Sequence, residues 1–357
     1  MSKKHNFGAG PCILPKEVFE EASKAVIDFN GLSILEISHR SPEFVTVMEE
    51  AQDLVRELLN VPDTYTVIFL QGGASLAFLI SAMNMSGSTK KAGYVNTGAW
   101  ATKAIKEGKN AGLEVIEVAS SKDKNYNYIP KGYTADNMDY LHITSNNTIF
   151  GTQMKSFPNV NAPLVCDMSS DIFSKKINVT DFDIIYAGAQ KNIGPAGSTL
   201  YIVKKSILGK STYGTIPTYL DLETHHKKDS MFNTPPVFSI YVAMLNLRYL
   251  KLHGGIAEVE KRNQLKSDLI YSEIDANPLF EGTTAKEDRS NMNVTFVLKD
   301  ESLTDDFNAA WQLAGIVGLK GHRSVGGFRA SIYNALNLES VQVLTAVMSE
   351  FAANYSK

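Results

Sequence analysis

The sequence predicts an α/β protein with a large domain, whose mostly parallel central sheet is flanked by helices, and a smaller α+β C-terminal domain. From about residue 65 to 205, short β-branched strands alternate with helical segments, which is typical of an open parallel sheet. After a helix expected to end near residue 271 the composition changes, and a polar segment at 281–290 precedes a strand. The chain of 357 residues is also longer than one core usually holds. We therefore expect a large domain at 16–255, a small domain at 256–357, and an N-terminal segment at 1–15 associated with the small domain.

The composition is that of an ordinary globular protein, with 44% hydrophobic and 20% charged residues. A net charge of -3 argues against nucleic acid or an anionic membrane as the main partner. The first residues lack the apolar core of a signal peptide, and no apolar run approaches membrane-spanning length. Cys12 and Cys166 have neither disulfide nor metal-ligand spacing, which fits a reducing compartment. We expect a cytoplasmic protein without a metal site.

Two helices are expected before the first strand of the sheet. The first lies between Pro15 and Gly31, which are typical start and stop residues, and the second follows Pro42. Their apolar faces are formed by Val18, Phe19, Ala22, Val26 and Phe29 in the first helix, and by Phe44, Val47, Met48, Ala51, Val55 and Leu58 in the second. The loop between the helices carries His39 and Arg40, which are either solvated or part of a ligand site.

The strand expected at 65–70 runs into QGGAS at 71–75 and then into a helix expected from Leu76. A strand, a glycine turn and a helix N-terminus expose unpaired N–H groups that suit a phosphate. The segment matches neither the dinucleotide fingerprint nor a P-loop, so a tight turn without a ligand is the alternative. The next unit, a strand at 92–96 and a helix ending near Gly108, places Trp100 in the connecting turn. There its ring either stacks on a flat ligand or packs in the core.

Two later strands lead to ionisable residues. The strand at 163–167 ends on Asp167, and a buried acid requires a cation or a hydrogen-bond donor. The strand that begins near Asp183 stops in small residues and then presents Lys191 before a loop rich in glycine and proline. At the rim of a core, desolvation and neighbouring cations lower the pKa of such an amine, so that it can act as a nucleophile or base. A solvated lysine is the alternative. Strands at 113–118, 140–145 and 198–203 complete the expected sheet.

After the sheet, two helices are expected, at 237–253 and 256–271, and the second of them begins the small domain. A strand at 293–298 and a helix at 304–317 come next, before a last strand and helix. A glycine-rich turn at 321–327 carries His322 and Arg323, and the strand that it enters carries Arg329.

A strand-end lysine, a strand-end acid and a glycine-rich helix start together match the needs of pyridoxal 5'-phosphate. This cofactor requires a lysine for its Schiff base, an acid that keeps its pyridine nitrogen protonated, and a cradle for its phosphate. Trp100 supplies a face for the ring. The cations available for an anionic substrate are His39, Arg40, His322, Arg323 and Arg329. Several cations converging on one small molecule indicate a substrate with more than one anionic group.

Five motifs occur in an order that resembles one known family. They are SHRS at 38–41, QGGAS at 71–75, GAQKN at 188–192, NTPP at 233–236 and GHRSVGGFRASIYN at 321–334. In these motifs, over the whole chain, the sequence resembles the phosphoserine aminotransferase family, within the class V, fold type I pyridoxal-phosphate-dependent aminotransferases. The resemblance implies reversible transfer of the amino group of L-glutamate to 3-phosphohydroxypyruvate, giving O-phospho-L-serine and 2-oxoglutarate in serine biosynthesis. It also implies action on the 4-phosphohydroxy-L-threonine pair of pyridoxal phosphate synthesis, and a homodimer with shared active sites.

The resemblance implies a role for each matched residue. Lys191 carries the cofactor and moves the substrate proton, Asp167 pairs with the pyridinium nitrogen, and Trp100 stacks on the ring. The other cofactor-binding residues that it implies are Ala74, Ser75, Thr148 and Gln190, with Asn233 and Thr234 reaching the cofactor of the neighbouring subunit. The substrate-binding residues that it implies are His39, Arg40, His322 and Arg323 at the phosphate, and Arg329 at the α-carboxylate. Some members of the family have an arginine in the glycine-rich turn, where this chain has Ala74 and Ser75.

Two rival functions use the same fold. A cysteine desulfurase or related lyase needs a reactive, mobile cysteine near the cofactor, and neither Cys12 nor Cys166 is placed well for that role. A non-catalytic binding protein would tolerate the loss of Lys191, which is present here. No basic stripe or nucleic-acid-binding module accompanies the fold.

Overall fold

The computed structural model describes residues 3–323 and 325–355, so Ser324 of the glycine-rich turn lies outside the described residues. In chain order the strands are β1 (His5–Asn6), β2 (Tyr65–Leu70), β3 (Lys91–Asn96), β4 (Glu114–Ser120), β5 (Tyr140–Thr144), β6 (Leu164–Asp167), β7 (Ile184–Gly188), β8 (Thr199–Lys204), β9 (Phe280–Gly282), β10 (Asn293–Leu298), β11 (Ile316–Val317) and β12 (Phe328–Ser331). The α-helices are α1 (Lys16–Ile27), α2 (Pro42–Leu59), α3 (Gly73–Met85), α4 (Ala99–Asn110), α5 (Leu222–His226), α6 (Val237–Leu252), α7 (Gly255–Ala276), α8 (Thr304–Leu313) and α9 (Leu338–Tyr355).

Within the described residues, the central sheet has seven strands in the order β2-β8-β7-β6-β5-β3-β4. β8 is antiparallel to both of its neighbours, whereas the other neighbouring pairs are parallel. Alternate residues of each strand point to opposite faces of the sheet, and helices cover both of these faces. In β2, Val67 and Phe69 join the core that includes α1, α2 and α6, while Ile68 and Leu70 join the core that includes α3 and α4. The predicted α/β fold with a mostly parallel central sheet is confirmed.

The carboxyl ends of three neighbouring parallel strands meet at one edge of this sheet. The register of β5, β6 and β7 pairs Thr144 with Asp167 and Asp167 with Tyr186. The loops that leave these strands therefore start side by side. Ligand-binding residues of open α/β sheets collect at such an edge, so this geometry positions the candidate site.

A smaller antiparallel sheet, in the order β12-β10-β9, packs with α7, α8 and α9 around a separate apolar core. The central strand, β10, pairs with both of the others. The N-terminal residues join this region, because β1 pairs in parallel with β11 and sets His5 opposite Ile316. The domain boundary after residue 255 stays a prediction.

Two helices of the large sheet begin earlier than expected. α3 starts at Gly73 instead of Leu76, and α4 starts at Ala99. Trp100 therefore lies in the first turn of a helix and not in the loop before it. Both starts follow a glycine in a positive-φ conformation, Gly72 and Gly98, which ends the extended chain without a cap from a side chain.

One helix of the small domain is shorter than expected. α8 ends at Leu313 instead of Val317, because Gly315 adopts a φ of +79° that an α-helix cannot continue through. The following residues form β11, whose partner β1 lies at the other end of the chain. Local periodicity does not predict a pairing over such a distance.

Candidate active site

A cavity of about 160 Å³ opens at the edge where β5, β6 and β7 end. Its walls come from the loops that leave these strands and from the first turns of α3 and α4. The predicted cofactor-binding residues that line it are Ala74, Ser75, Trp100, Thr148, Asp167, Gln190 and Lys191. Residues from five separate segments of the sequence thus meet at one place.

Lys191 lies just beyond the end of β7 at Gly188 and is buried, with 7% of its surface exposed. Its Nζ donates a hydrogen bond to Thr148 Oγ1 at 2.7 Å. Burial lowers the pKa of Lys191 to about 8; the charge of Asp167 opposes this change, and the charge of Arg329 adds to it. An amine with this pKa is partly neutral near pH 8, as a nucleophile or base must be.

Asp167 is the last residue of β6 and is buried. Burial raises the pKa of Asp167, while hydrogen bonds from Ser169 and the charge of Lys191 lower it. One of these hydrogen bonds runs from the backbone N–H of Ser169 to Asp167 Oδ1 at 2.9 Å. A buried carboxyl group is costly without a cationic partner, and a protonated ring nitrogen in the cavity would be such a partner.

Trp100 forms one wall of the cavity. Its ring centroid is 5.8 Å from Lys191 Nζ and 4.3 Å from Lys103 Nζ. Its Nε1 is buried without a hydrogen-bond partner among the described residues. α4 begins this close to the loop after β5 because Gly98, with a φ of +144°, has no side chain; a Cβ there would overlap Asn147 Nδ2.

The first turn of α3 forms another part of the wall. Gly72 caps this helix with a φ of +103°, and Gly73, Ala74 and Ser75 line the cavity. The first N–H groups of a helix have no intrahelical acceptors. The turn therefore suits an anionic group such as a phosphate.

A cationic cluster, formed by Lys103, His322, Arg323 and Arg329, lies beside the cavity. Arg329 Nη1 donates to the carbonyl oxygen of Thr148 at 3.2 Å, and its Nε is buried without a partner among the described residues. The pKa of His322 is lowered first by burial and then by the positive charges of Arg329, Arg323 and Lys103. Lys103, Arg323 and Arg329 give the cluster the positive charge that an anionic substrate needs.

The remaining predicted site residues, His39, Arg40, Asn233 and Thr234, do not line this cavity. His39 is buried before α2, and its pKa is lowered by burial and by the neighbouring Arg40. Asn233 and Thr234 are exposed, and the Thr234 carbonyl oxygen accepts a hydrogen bond from Gln71 Nε2 at 3.0 Å. A single chain thus assembles only part of the predicted site.

Several polar residues of the site were missed by the sequence reasoning. Asn146, Ser169 and Ser170 line the cavity. Asn146 Nδ2 donates to Ser170 Oγ and to Asn293 Oδ1, both at 2.8 Å, so it ties the loops after β5 and β6 to β10. Their position directly after predicted strands was a usable signal, because such exits share one edge of a parallel sheet. Lys103 also went unnoticed, although one helical turn separates it from Trp100.

Within residues 3–323 and 325–355, no group of three His, Cys, Asp or Glu side chains is arranged to hold a metal ion. In the same part of the chain, no helix has both the length and the apolar character needed to cross a membrane.

Both cysteines carry free thiols. Cys12 Sγ donates to the carbonyl oxygen of Lys191 at 2.7 Å, and burial raises the pKa of Cys12 to about 12. Cys166 is buried in β6, and burial raises its pKa as well. Neither thiol is therefore a ready nucleophile, which argues against the desulfurase reading.

Comparison with known sequences relates this site to one family. The profile of the family described as aminotransferase class-V matches residues 5–344. A phosphoserine aminotransferase of Flavobacterium psychrophilum is 60% identical over 352 residues, which cover 98% of this chain and 98% of that protein. A phosphoserine aminotransferase of Bacteroides thetaiotaomicron is 56% identical over 355 residues, covering 98% of this chain and 99% of that protein.

Solved structures show the same likeness. Phosphoserine aminotransferase from Bacillus circulans subsp. alkalophilus matches with a TM-score of 0.95 and 43% sequence identity, over 99% of each chain. PLP-bound phosphoserine aminotransferase from Trichomonas vaginalis matches with a TM-score of 0.92 and 34% identity, over 97% of this chain and 100% of that one. Sequence and structure agree over almost the full length, and the chain therefore belongs to the class-V aminotransferases, among the phosphoserine aminotransferases.

Proposed function

We propose that this protein transfers the amino group of L-glutamate to 3-phosphohydroxypyruvate, giving O-phospho-L-serine and 2-oxoglutarate, with pyridoxal 5'-phosphate as its cofactor. The observation that carries the proposal is Lys191, a buried amine of lowered pKa that lines one cavity with the buried Asp167 and is near enough to Arg329 of the cationic cluster for that charge to act on it. Relatives that are phosphoserine aminotransferases, at 60% and 56% identity over nearly the full chain, support the choice of substrate.

The residues around the cavity fit the cofactor. Lys191 would hold it covalently, Asp167 would hold its ring nitrogen, and the face of Trp100 would cover its ring. Thr148 and Gln190 would bind its polar substituents, and the first turn of α3 would receive its phosphate. The buried Nε1 of Trp100, which has no hydrogen-bond partner among the residues that the structure describes, is a donor that a bound group could satisfy. When bound, the cofactor supplies an electron sink that acidifies the Cα–H bond of an amino acid.

Lys191 would also move the proton. Nζ would take the proton from the substrate Cα and deliver it to the C4′ atom of the cofactor, and in the opposite half reaction it would move a proton from C4′ to Cα. A pKa of about 8 keeps much of this amine neutral at mildly alkaline pH, so that it can accept a proton. The hydrogen bond from Nζ to Thr148 Oγ1 at 2.7 Å fixes where the amine rests.

The cationic cluster would orient the substrate. Arg329 is held by the Thr148 carbonyl oxygen beside Lys191, which suits a contact with the α-carboxylate. His322 and Arg323 would bind the group at the other end of the substrate. Phosphoserine has a phosphate where glutamate has a carboxylate, so one set of cations can serve both donors. Binding both ends fixes the reacting Cα–H bond relative to Lys191.

We propose a homodimer with shared active sites. His39, Arg40, Asn233 and Thr234 belong to family-like motifs but do not line the cavity of their own chain. A second chain would bring the first two to the substrate phosphate and the other two to the cofactor. Large exposed apolar side chains in the part of the chain that precedes the first pair support an interface, because Phe19, Leu32 and Leu35 are 52%, 55% and 63% exposed.

We propose that the enzyme acts on small molecules in the cytoplasm. The free thiols of Cys12 and Cys166 fit a reducing compartment. Action on the 4-phosphohydroxy-L-threonine pair stays a prediction.

The visible absorbance of the purified protein with pyridoxal 5'-phosphate tests the proposal. We expect the band of the bound cofactor to disappear on addition of O-phospho-L-serine and to persist with unphosphorylated L-serine. L-glutamate should also remove the band. A band that phosphoserine leaves unchanged would support the cofactor assignment and reject the substrate.

A further inference from the structure

Lys103 lies at the site although no predicted motif contains it. It follows Trp100 by one turn of α4, so the two side chains share one face of the helix. Lys103 Nζ lies 4.3 Å from the centroid of the Trp100 ring. The side chain is exposed, and it forms no ion pair with a carboxylate of the described residues. The cation–π contact places this ammonium group beside the Trp100 ring, which lines the cavity.

The other members of the cationic cluster come from different elements. Arg329 belongs to β12, and His322 and Arg323 belong to the turn before it. Lys103 is near enough to these groups for its charge to act on His322, together with those of Arg329 and Arg323. The three side chains whose charges lower the pKa of His322, Arg329, Arg323 and Lys103, are cations. Positive charge collected in this way attracts an anion.

The two amino donors of the proposed reaction differ in the charge of their distal group. The phosphate of phosphoserine carries a charge of about -1.5 to -2 near neutral pH, by analogy with phosphorylated side chains. The γ-carboxylate of glutamate carries a single negative charge. Coulomb attraction is proportional to charge, so an additional cation stabilises the bound phosphate up to about twice as strongly as the carboxylate.

We propose that Lys103 is a specificity-determining residue, whose ammonium group beside Trp100 binds the substrate phosphate and favours phosphoserine over glutamate. This inference rests on the proposed function, because it concerns the phosphate end of the same site. Lys103 reaches that end from an exposed helix face, so its side chain is free to move from the indole ring to the phosphate.

Kinetics of three variants test the inference. Lys103→Gln removes the charge, Lys103→Arg keeps it, and Lys106→Gln removes an equal charge from an exposed position one turn further along α4. With Lys103→Gln we expect kcat/KM for O-phospho-L-serine to fall about tenfold, the usual effect of losing one charged contact. For L-glutamate we expect a loss smaller than about threefold, because its distal group carries less charge. Lys103→Arg and Lys106→Gln should keep the wild-type ratio of the two values.

Thermal stabilisation by inorganic phosphate gives a readout that does not depend on turnover. Phosphate should raise the Tm of the wild-type holoenzyme more than the same ionic strength of chloride does. Lys103→Gln should lose much of this rise, whereas Lys106→Gln should retain it.

An equal loss with both donors would overturn the inference, because Lys103 would then act through Trp100 on the cofactor. Unchanged kinetics and an unchanged phosphate response in Lys103→Gln would overturn it as well. If the wild-type enzyme did not turn over phosphoserine, the proposed function would fail and the inference with it. An active wild type with an unaffected variant rejects the inference alone.

Discussion

At the residue scale, Lys191 is buried, and among the described residues its Nζ donates one hydrogen bond, to the neutral hydroxyl group of Thr148. Replacing it with alanine would remove both the proposed attachment point of the cofactor and the group proposed to move the proton. We expect Lys191→Ala to lower kcat by about a thousandfold or more while the protein remains folded. Steady-state assays and circular dichroism measure the two effects. Lys210→Ala, at an exposed position, is the control, and substantial residual transamination by Lys191→Ala would contradict the assignment.

The lowered pKa of Lys191 also predicts how stability depends on pH in the cofactor-free protein. The pKa is about 8 in the fold and about 10.4 in an unfolded chain. Between these values the unfolded chain binds a proton that the folded protein does not, so stability rises with pH. Denaturant unfolding should therefore show the stability of wild type increasing relative to Lys191→Met as pH rises from about 8 to about 10.4. Parallel curves for the two proteins would mean that the amine is not desolvated.

Arg329 is expected to bind the group that both amino donors share. Arg329→Ala should reduce kcat/KM for phosphoserine and for glutamate alike, by about a hundredfold, because each donor has an α-carboxylate. Arg289, which pairs with Asp275 outside the cavity, offers an arginine control. An effect confined to phosphoserine would move Arg329 to the phosphate end of the site.

The sequence was most informative about residues that are costly to bury. Asp167 and Lys191 stood out because each follows an apolar strand, where an ionisable group needs a specific reason to be present. The structure places both at the same cavity. Lys103 could not be recognised in the same way, because a lysine on an exposed helix face resembles any solvated lysine until its neighbours are known.

At the element scale, Gly98 determines where α4 begins and so where Trp100 lies. Its φ of +144° and the overlap of a Cβ with Asn147 both oppose substitution. Gly98→Ala should destabilise the protein by about 3 kcal/mol and weaken cofactor binding. Gly112→Ala is a matched control, because Gly112 has a φ of +76° but open space around it, and about 1 kcal/mol is expected there. Thermal unfolding and cofactor titration measure both effects, and equal costs at the two positions would show that the contact with Asn147 is unimportant.

Helices and strands were predicted well where the periodicity of apolar residues agreed with the glycine and proline residues that mark the ends of an element. The strands before α3 and α4 were found, but the helix starts were misplaced because glycine and alanine fit a turn and a first helical turn equally well. The direction of β8 was also hidden from the sequence, since parallel and antiparallel strands that are buried on both faces have the same apolar pattern. Only the pairing of β8 with β2 and β7 in the structure shows it.

At the scale of the whole molecule, the proposed shared sites predict complementation between two defective variants. Arg40→Ala and Lys191→Ala should each be impaired as homodimers. In a heterodimer, one site would carry both changes and the other would be intact. When the two variant chains are mixed in equal amounts and pair at random, about half of the dimers contain one chain of each variant. Each of these dimers has one intact site of two, so the mixture should recover about a quarter of wild-type activity. Activity no greater than the sum of the separate variants would show that Arg40 serves its own chain.

Alternation of strands and helices was enough to predict the architecture, because few arrangements bury both faces of a parallel sheet. The relation between distant parts of the chain was less accessible. His39 and Asn233 could be assigned to the site only through their motifs, since the fold of one chain leaves both outside the cavity. Nothing in the local sequence relates β1 to β11.

The pairing of β1 with β11 has a consequence for the order of events during synthesis. His5 leaves the ribosome long before its partner Ile316 has been translated. Until then the N-terminal segment has no strand to pair with, and the carbonyl oxygen of Ala9 lacks its donor, the hydroxyl group of Tyr333. The central sheet can form earlier, because all its strands precede residue 205. The nascent chain can therefore complete its largest sheet first, whereas the partners of residues 5–9 become available only near the end of translation.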